Sequence, residues 1–405
     1  MAAEQALAAV LPPRVTPPSL VRSTISALAL FGWLVGLSGA SCCLSAVHFN
    51  SSAAQTTTWL AAAVVAATAG LIVFNTLLAD WPANRVLAFA AALGAAALTT
   101  LAAAYENRLT YAAGAMLGLA VAAAAVEATR QITRYGQEEG SGKLADLAAC
   151  SWPAGAAAAC LLTALGRHFL SFASLSLGLA ICLGAFAAAW LRLKPATPVA
   201  PAPSAERWAG RRQPAFKLQF ASALFQALVY GLIAAWIGVY MSRKVGLTAA
   251  GSTLALAVVW LALLTGRAAA SRYKAAMQPR FYLAVLLIWV VGALFLVKTT
   301  DRSGALVACL LVGVGAGALQ PLSGVPALFA SSDEFKRLLP LLFKASVGAG
   351  LAGALVGGWL VQSWGMEALV WVALGAQALA TLASFGAAVE ARLFRGVTVD
   401  PGRPA

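Results

Sequence analysis

Only 10% of the residues are charged, so the ionisable side chains inside apolar runs stand out first. Glu127 lies in AVAAAAVEATR, and Lys344 lies in PLLFKASVGAG. A charge within lipid is expensive and normally faces a bundle interior or a cavity. Glu127 can take part in proton coupling, or it can pair with Arg130 in the same helical turn. Lys344 can meet an anionic solute, a lipid phosphate or Glu127 across a bundle, or it can snorkel toward headgroups. Gln226 and Tyr230 are spaced to share one helical face. With Trp33, Ser38, Ser41 and Gln320 they form a set of neutral hydrogen-bonding groups, for a solute or for a neighbouring helix.

Other chemistries lack their residues. The chain has no GxxxxGK[ST] loop, no GxSxG elbow and no HExxH pair, so neither a nucleotide-driven nor a hydrolytic centre is expected. No enzyme activity, cofactor or metal is expected. The six cysteines (Cys42, Cys43, Cys150, Cys160, Cys182 and Cys309) sit in apolar runs without CxxC spacing, and read as small buried apolar residues. His48 and His168 fall at segment edges, where structural roles are expected. The net charge of +14 is distributed between apolar segments rather than on a polar domain, which argues against nucleic acid.

The elements that must position these residues are membrane helices. The 405 residues are 61% hydrophobic, with a mean hydropathy of +0.82. A soluble domain usually carries about 25% charged residues. Crossing the hydrocarbon layer takes about 20 helical residues. Twelve segments qualify: 24–47, 55–79, 86–105, 110–129, 145–166, 169–191, 217–241, 247–266, 281–298, 304–329, 338–362 and 366–388. With both termini in the cytoplasm, only Arg108, Arg167, Arg243, Lys244, Lys298 and Arg302 of the 28 Lys and Arg lie outside. That is the bias expected of short cytoplasmic loops. The proline-rich start does not read as a cleaved signal, and a bacterial-type inner or plasma membrane is expected.

Residues 195–216, PATPVAPAPSAERWAGRRQPAF, are the one long polar interruption and disfavour regular helix. They divide the chain into an N-terminal six-helix bundle at 1–194 and a C-terminal one at 217–405. A repeat supports the division. GAMLGLAVAAAAVEATR leads through a charged turn to SWPAGAAAACLLTALG, and GALVACLLVGVGAGALQ leads through SSDEFKR to KASVGAGLAGALVGGWL. Small residues in such helices allow close contact in lipid.

The turn between segments 2 and 3 reads TLLADWPANR. In its Leu78, Ala79, Asp80 and Arg85 the chain resembles the major facilitator superfamily, which carries a Gly-x-Leu-Ala-Asp-Arg-x-Gly-Arg-Arg/Lys loop here. Thr76, Trp81, Ala83 and Asn84 replace the first glycine, an arginine, the second glycine and another arginine. The turn after segment 8, TGRAAASRYKAAMQPR, keeps Gly266, Arg267 and Arg272 as cationic anchors without an aspartate. The resemblance implies two pseudo-symmetric six-helix bundles in an all-α polytopic fold. It implies that Asp80 and Arg85 form a gating loop, networked with the charged turn after segment 4, RQITRYGQEEGSGKLAD, which starts at Arg130; Glu127 joins them as a coupling candidate on its own chemistry. It also implies a cavity lined by the first helix of each half, where Trp33, Ser38, Ser41, Gln226 and Tyr230 lie; Gln320 and Lys344 complete the candidates.

The expected function is secondary transport of a small organic solute, with anions among the candidates, by alternating access. A functional monomer surrounded by lipid would use a coupling proton or a counter-ion, or facilitated diffusion. The alternatives are an apolar drug or metabolite exporter, and a sensor or assembly factor with a transporter-like fold.

Overall fold

The computed structural model describes residues 18–137, 142–193, 214–272, 279–319 and 332–395. Twelve helices lie among them. The first six are α1 (Pro18–His48), α2 (Ala53–Leu77), α3 (Ala83–Ala102), α4 (Asn107–Gln137), α5 (Gly142–Phe169) and α6 (Phe172–Arg192). The second six are α7 (Pro214–Lys244), α8 (Ala249–Arg272), α9 (Pro279–Lys298), α10 (Arg302–Ala318), α11 (Ser332–Trp364) and α12 (Glu367–Arg395). Ten are long and apolar enough to cross a membrane. The other two are α5, rich in mildly apolar alanine, and α10, whose 17 residues extend about 26 Å.

Polar residues at the turns start several helices. Ser52 caps α2 in a reciprocal box with Gln55, satisfying two otherwise orphaned donors. Asp301 caps α10 by accepting from the Gly304 N–H at 2.8 Å. That bond, with another from Thr299, holds the Asp301 carboxyl below its ordinary pKa.

Several elements run beyond the expected boundaries. Helix α4 continues to Gln137, because EATRQITR consists of residues compatible with helix and has no breaker. Helix α8 continues through GRAAASR to Arg272 for the same reason. Arg267, expected in a turn, is therefore inside a helix. Helix α7 spans Pro214–Lys244, so Pro214, Ala215 and Phe216 are helical rather than linker. Its proline sits at the first helical position, where a missing N–H costs nothing. Helix α10 stops at Ala318, short of the expected 329.

The two halves pack alike. Helix α1 lies against α5 and α7 against α11; α2 lies against α4 and α8 against α10; α3 lies against α6 and α9 against α12. Absent side chains make the closest of these crossings possible. A Cβ on Gly118 of α4 would fall 2.0 Å from the Ala63 carbonyl oxygen of α2. A Cβ on Gly317 of α10 would fall 2.0 Å from the Leu263 carbonyl oxygen of α8. In lipid such contacts, rather than hydrophobic exclusion, hold helices together. The opposite faces are apolar and exposed: Leu283, Leu287, Val291 and Phe295 form an i, i+4 stripe along α9.

Across the halves, α5 packs on α8, α2 and α4 on α11, and α1 on α7. The bundle end carrying the α1–α2 and α7–α8 turns is tied by Arg243, which donates to the Ser51 carbonyl. Beside it Lys244 pairs with Glu367. His48 stacks on Phe172 at 4.4 Å, joining the end of α1 to the start of α6. Of the cysteines, Cys42, Cys43, Cys160 and Cys309 are buried as expected. Cys150 is half-buried, and Cys182 is exposed on α6, correcting its expected burial.

Candidate substrate cavity

A cavity of about 180 Å³ lies between the halves, walled by α1, α2, α4 and α5 on one side and α7, α8 and α11 on the other. Its walls are mainly aromatic and small: Phe31, Trp59, Trp152, Trp260 and Phe343 contribute rings, while glycine and alanine leave the space. Arg267 is the only charged side chain among the described residues that line it.

Arg267 sits two turns beyond Trp260 on α8 and is 3% exposed. Its Nη2 donates to the Tyr230 hydroxyl at 3.0 Å. Its guanidinium carbon lies 5.2 Å from the Trp152 ring centre and 5.4 Å from that of Tyr230. Both distances are within cation–π range, which matters most where water is excluded. The Tyr230 hydroxyl lies 3.1 Å from the Ala316 carbonyl oxygen, to which it donates. It thereby remains free to accept from both Arg267 and the Gln226 Nε2, the latter at 3.1 Å. Gln226 Nε2 also donates to Ala316 at 2.6 Å. Ala316 belongs to the last turn of α10, whose carbonyls have no partner within the helix. The cation at this C-terminus also suits the helix dipole.

Other polar atoms around the walls are less well served. Gln226 Oε1, Trp59 Nε1 and Trp260 Nε1 are buried without hydrogen-bond partners among the described residues. Such groups are rare in folded proteins and each is costly. Ser38 lines the cavity but spends its hydroxyl on the Leu34 carbonyl at 2.7 Å.

The remaining sequence candidates are dispersed. Trp33 packs against Phe186 at 6.4 Å, and Ser41 is buried; neither is among the lining residues. Lys344 is exposed and also absent from the lining, although its neighbour Phe343 is present. Gln320 lies outside the described residues. Glu127 is 2% exposed, away from the cavity. It accepts from Gln131 Nε2 at 2.6 Å and lies 3.6 Å from Arg130. Ser23 donates to Gln131 Oε1 at 2.9 Å, tying the start of α1 to this group.

Asp80 and Arg85 are both exposed, with no ion pair or side-chain hydrogen bond among the described residues. The buried member of their turn is Asn84. Its Nδ2 donates to the carbonyls of Leu193 at 3.0 Å and Trp190 at 3.4 Å, capping the end of α6.

Sequence reasoning misses Arg267 as a cavity residue because a segment 8 that stops at Gly266 leaves it in the following turn. The available signal was the seven-residue spacing from Trp260, which returns to the same face after two turns. Among the described residues no group of His, Cys, Asp and Glu is arranged to hold a metal.

The family model described as Major Facilitator Superfamily matches residues 19–334. The chain belongs to that superfamily. Its members are secondary transporters, not enzymes, which accords with a cavity shared by two bundles. No curated protein sequence matches the chain. Among solved structures, this superfamily member is similar to a bacterial homolog of the human lysosomal transporter Spinster. The inward-facing, unoccupied form superposes with a TM-score of 0.59 at 12% identity, covering 96% of this chain and 100% of that one. The inward-facing, occupied form gives 0.55 at 13% identity, covering 94% and 98%. At these identities the likeness concerns the fold, an integral polytopic bundle of twelve helices.

Proposed function

We propose that the chain transports a small organic anion with an apolar, ring-bearing body by alternating access through the central cavity. The observation that carries this reading is Arg267, a cation in a wall built mainly of aromatic, aliphatic and small residues. A guanidinium matches carboxylate and sulfonate geometry, and in a site of low dielectric that pairing gains strength. Tyr230, bonded in turn by Gln226, orients the cation, and Phe31, Trp59 and Trp260 provide surface for the solute body. The orphaned polar atoms of Gln226, Trp59 and Trp260 would find partners on a solute once the walls part.

In this reading the bundles on either side of the linker that precedes Pro214 rock about the cavity, in a monomer in a bacterial-type inner membrane with both termini on the cytoplasmic side. Glu127 and Arg130 brace α4 during that motion, and the driving force is an anion or proton gradient. The aromatic walls favour one competing solute class, neutral apolar molecules.

The test is uptake into proteoliposomes of a permanently charged aryl sulfonate, an aliphatic sulfonate and a neutral aryl sulfonamide. Saturable uptake of the aryl sulfonate above both others supports the reading. Preference for the sulfonamide supports the neutral class, and specific binding without flux under opposing gradients supports a sensor.

A further inference from the structure

We propose that Trp152 is a cargo-sensitive gate: it covers Arg267 from the opposite bundle, and the Trp152 ring must part from the cation as an anion pairs with it, before translocation. The inference rests on the reading of Arg267 as the anion anchor and adds the step that couples occupancy to bundle motion.

Trp152 belongs to α5, in the first half, and Arg267 to α8, in the second. The tryptophan is seated firmly in its own bundle. A Cβ on Gly32 of α1 would fall 1.7 Å from the Trp152 carbonyl oxygen, so α1 and α5 meet there backbone to backbone. Its ring nevertheless makes most of its aromatic contacts across the divide. Trp260 lies 5.3 Å and Tyr230 5.5 Å away, against 6.4 Å for Phe31 of its own half. The guanidinium completes this cross-bundle group at 5.2 Å. With 3% of Arg267 exposed, Trp152 and Tyr230 are part of what closes the cation in.

The attraction of a cation for a ring face is electrostatic. An anion beside the guanidinium reduces the charge that the ring feels, and it competes with the ring for a cation that is only 3% exposed. Anion binding and the Trp152–Arg267 contact are therefore competitors. The state that binds anion best is one in which α5 has moved from α8, and binding shifts the population toward it. At the opposite end of the cavity, Arg243 bonded to Ser51 marks a separate closure between the halves.

The test uses the full-length protein in detergent, with benzenesulfonate as probe. Removing the ring by Trp152→Leu should tighten binding roughly three- to thirtyfold, the range of a cation–π contact from exposed to desolvated settings. Trp152→Phe, which keeps a ring face, should stay within about threefold of the parent. Equal or weaker binding by a folded Trp152→Leu protein overturns the gate, because a merely structural tryptophan would weaken the site when removed. Folding is checked by a monodisperse size-exclusion peak and a cooperative thermal melt; the second measurement is alkylation of a cysteine introduced by Ser346→Cys in a Cys150→Ala, Cys182→Ala background.

Without any anion, both Trp152→Leu and Arg267→Gln should speed that alkylation, and the double variant should add nothing further. Unchanged or additive rates overturn the gate independently of the probe. If the gate variants open but neither parent nor Trp152→Leu binds benzenesulfonate, the anion reading fails while the cross-bundle contact stands as a gate.

Discussion

Arg267 Nη2 donates to the hydroxyl of Tyr230 at 3.0 Å, and that hydroxyl donates to the Ala316 carbonyl at 3.1 Å. A cation on α8 is thereby oriented by a side chain on α7 that is anchored to the end of α10. The chain of bonds converts a long, flexible arginine into a fixed charge at the cavity wall.

Arg267→Gln should lower affinity for an organic anion by roughly ten- to a hundredfold, the worth of a hydrogen-bonded charge. Arg267→Lys should recover only part of it, because an ammonium lacks the planar fork and the ring stacking. Isothermal titration of the detergent-solubilised protein checks both.

Tyr230→Phe keeps the ring beneath the guanidinium but removes the relay to Ala316. Gln226 still bonds that carbonyl, so the fold should persist. Anion affinity should fall by about threefold to tenfold, because the guanidinium keeps its charge and loses only the bond that orients it. Equal affinity in the variant would remove Tyr230 from the anchor.

Arg130→Met leaves the Glu127 carboxylate buried with only Gln131 as its described donor. The expected cost is about 1–3 kcal/mol, reduced from the fully buried case because Arg130 is 20% exposed. Adding Glu127→Gln should restore part of that loss. Thermal unfolding of the parent, the single variant and the double variant reads both effects.

Asn84→Ala frees two carbonyls at the end of α6 and should destabilise the protein by about 1 kcal/mol. Asp80→Asn, at an exposed position, should leave the melting temperature unchanged. Transport altered by Asp80→Asn at unchanged stability would instead support the conformational lock implied by the family loop.

Much of the architecture was legible because lipid imposes a simple rule. Every backbone group must bond within its own segment, so apolar runs of sufficient length become helices. The distribution of arginine and lysine supported the helix count and suggested an orientation. Boundaries were less legible. Charges at Glu127, Arg130 and Arg267 looked like the ends of segments 4 and 8, yet alanine, glutamate and arginine are good helix formers and carried both helices further. Gln226 and Tyr230 were visible as a pair from their spacing alone, whereas Asn84 was read only as a departure from a loop pattern.

The sequence by itself determined an all-α membrane protein with two related halves, because hydropathy, small-residue repeats and charge placement are local properties of the chain. Only the tertiary structure decided that Arg267, and not Lys344, is the cation at the cavity. A helix period states which residues share a face, but only packing states which neighbour that face meets. The meeting of Trp152 with Arg267 joins residues 115 positions apart on different halves, and the close crossings that brought their helices together exist only in three dimensions.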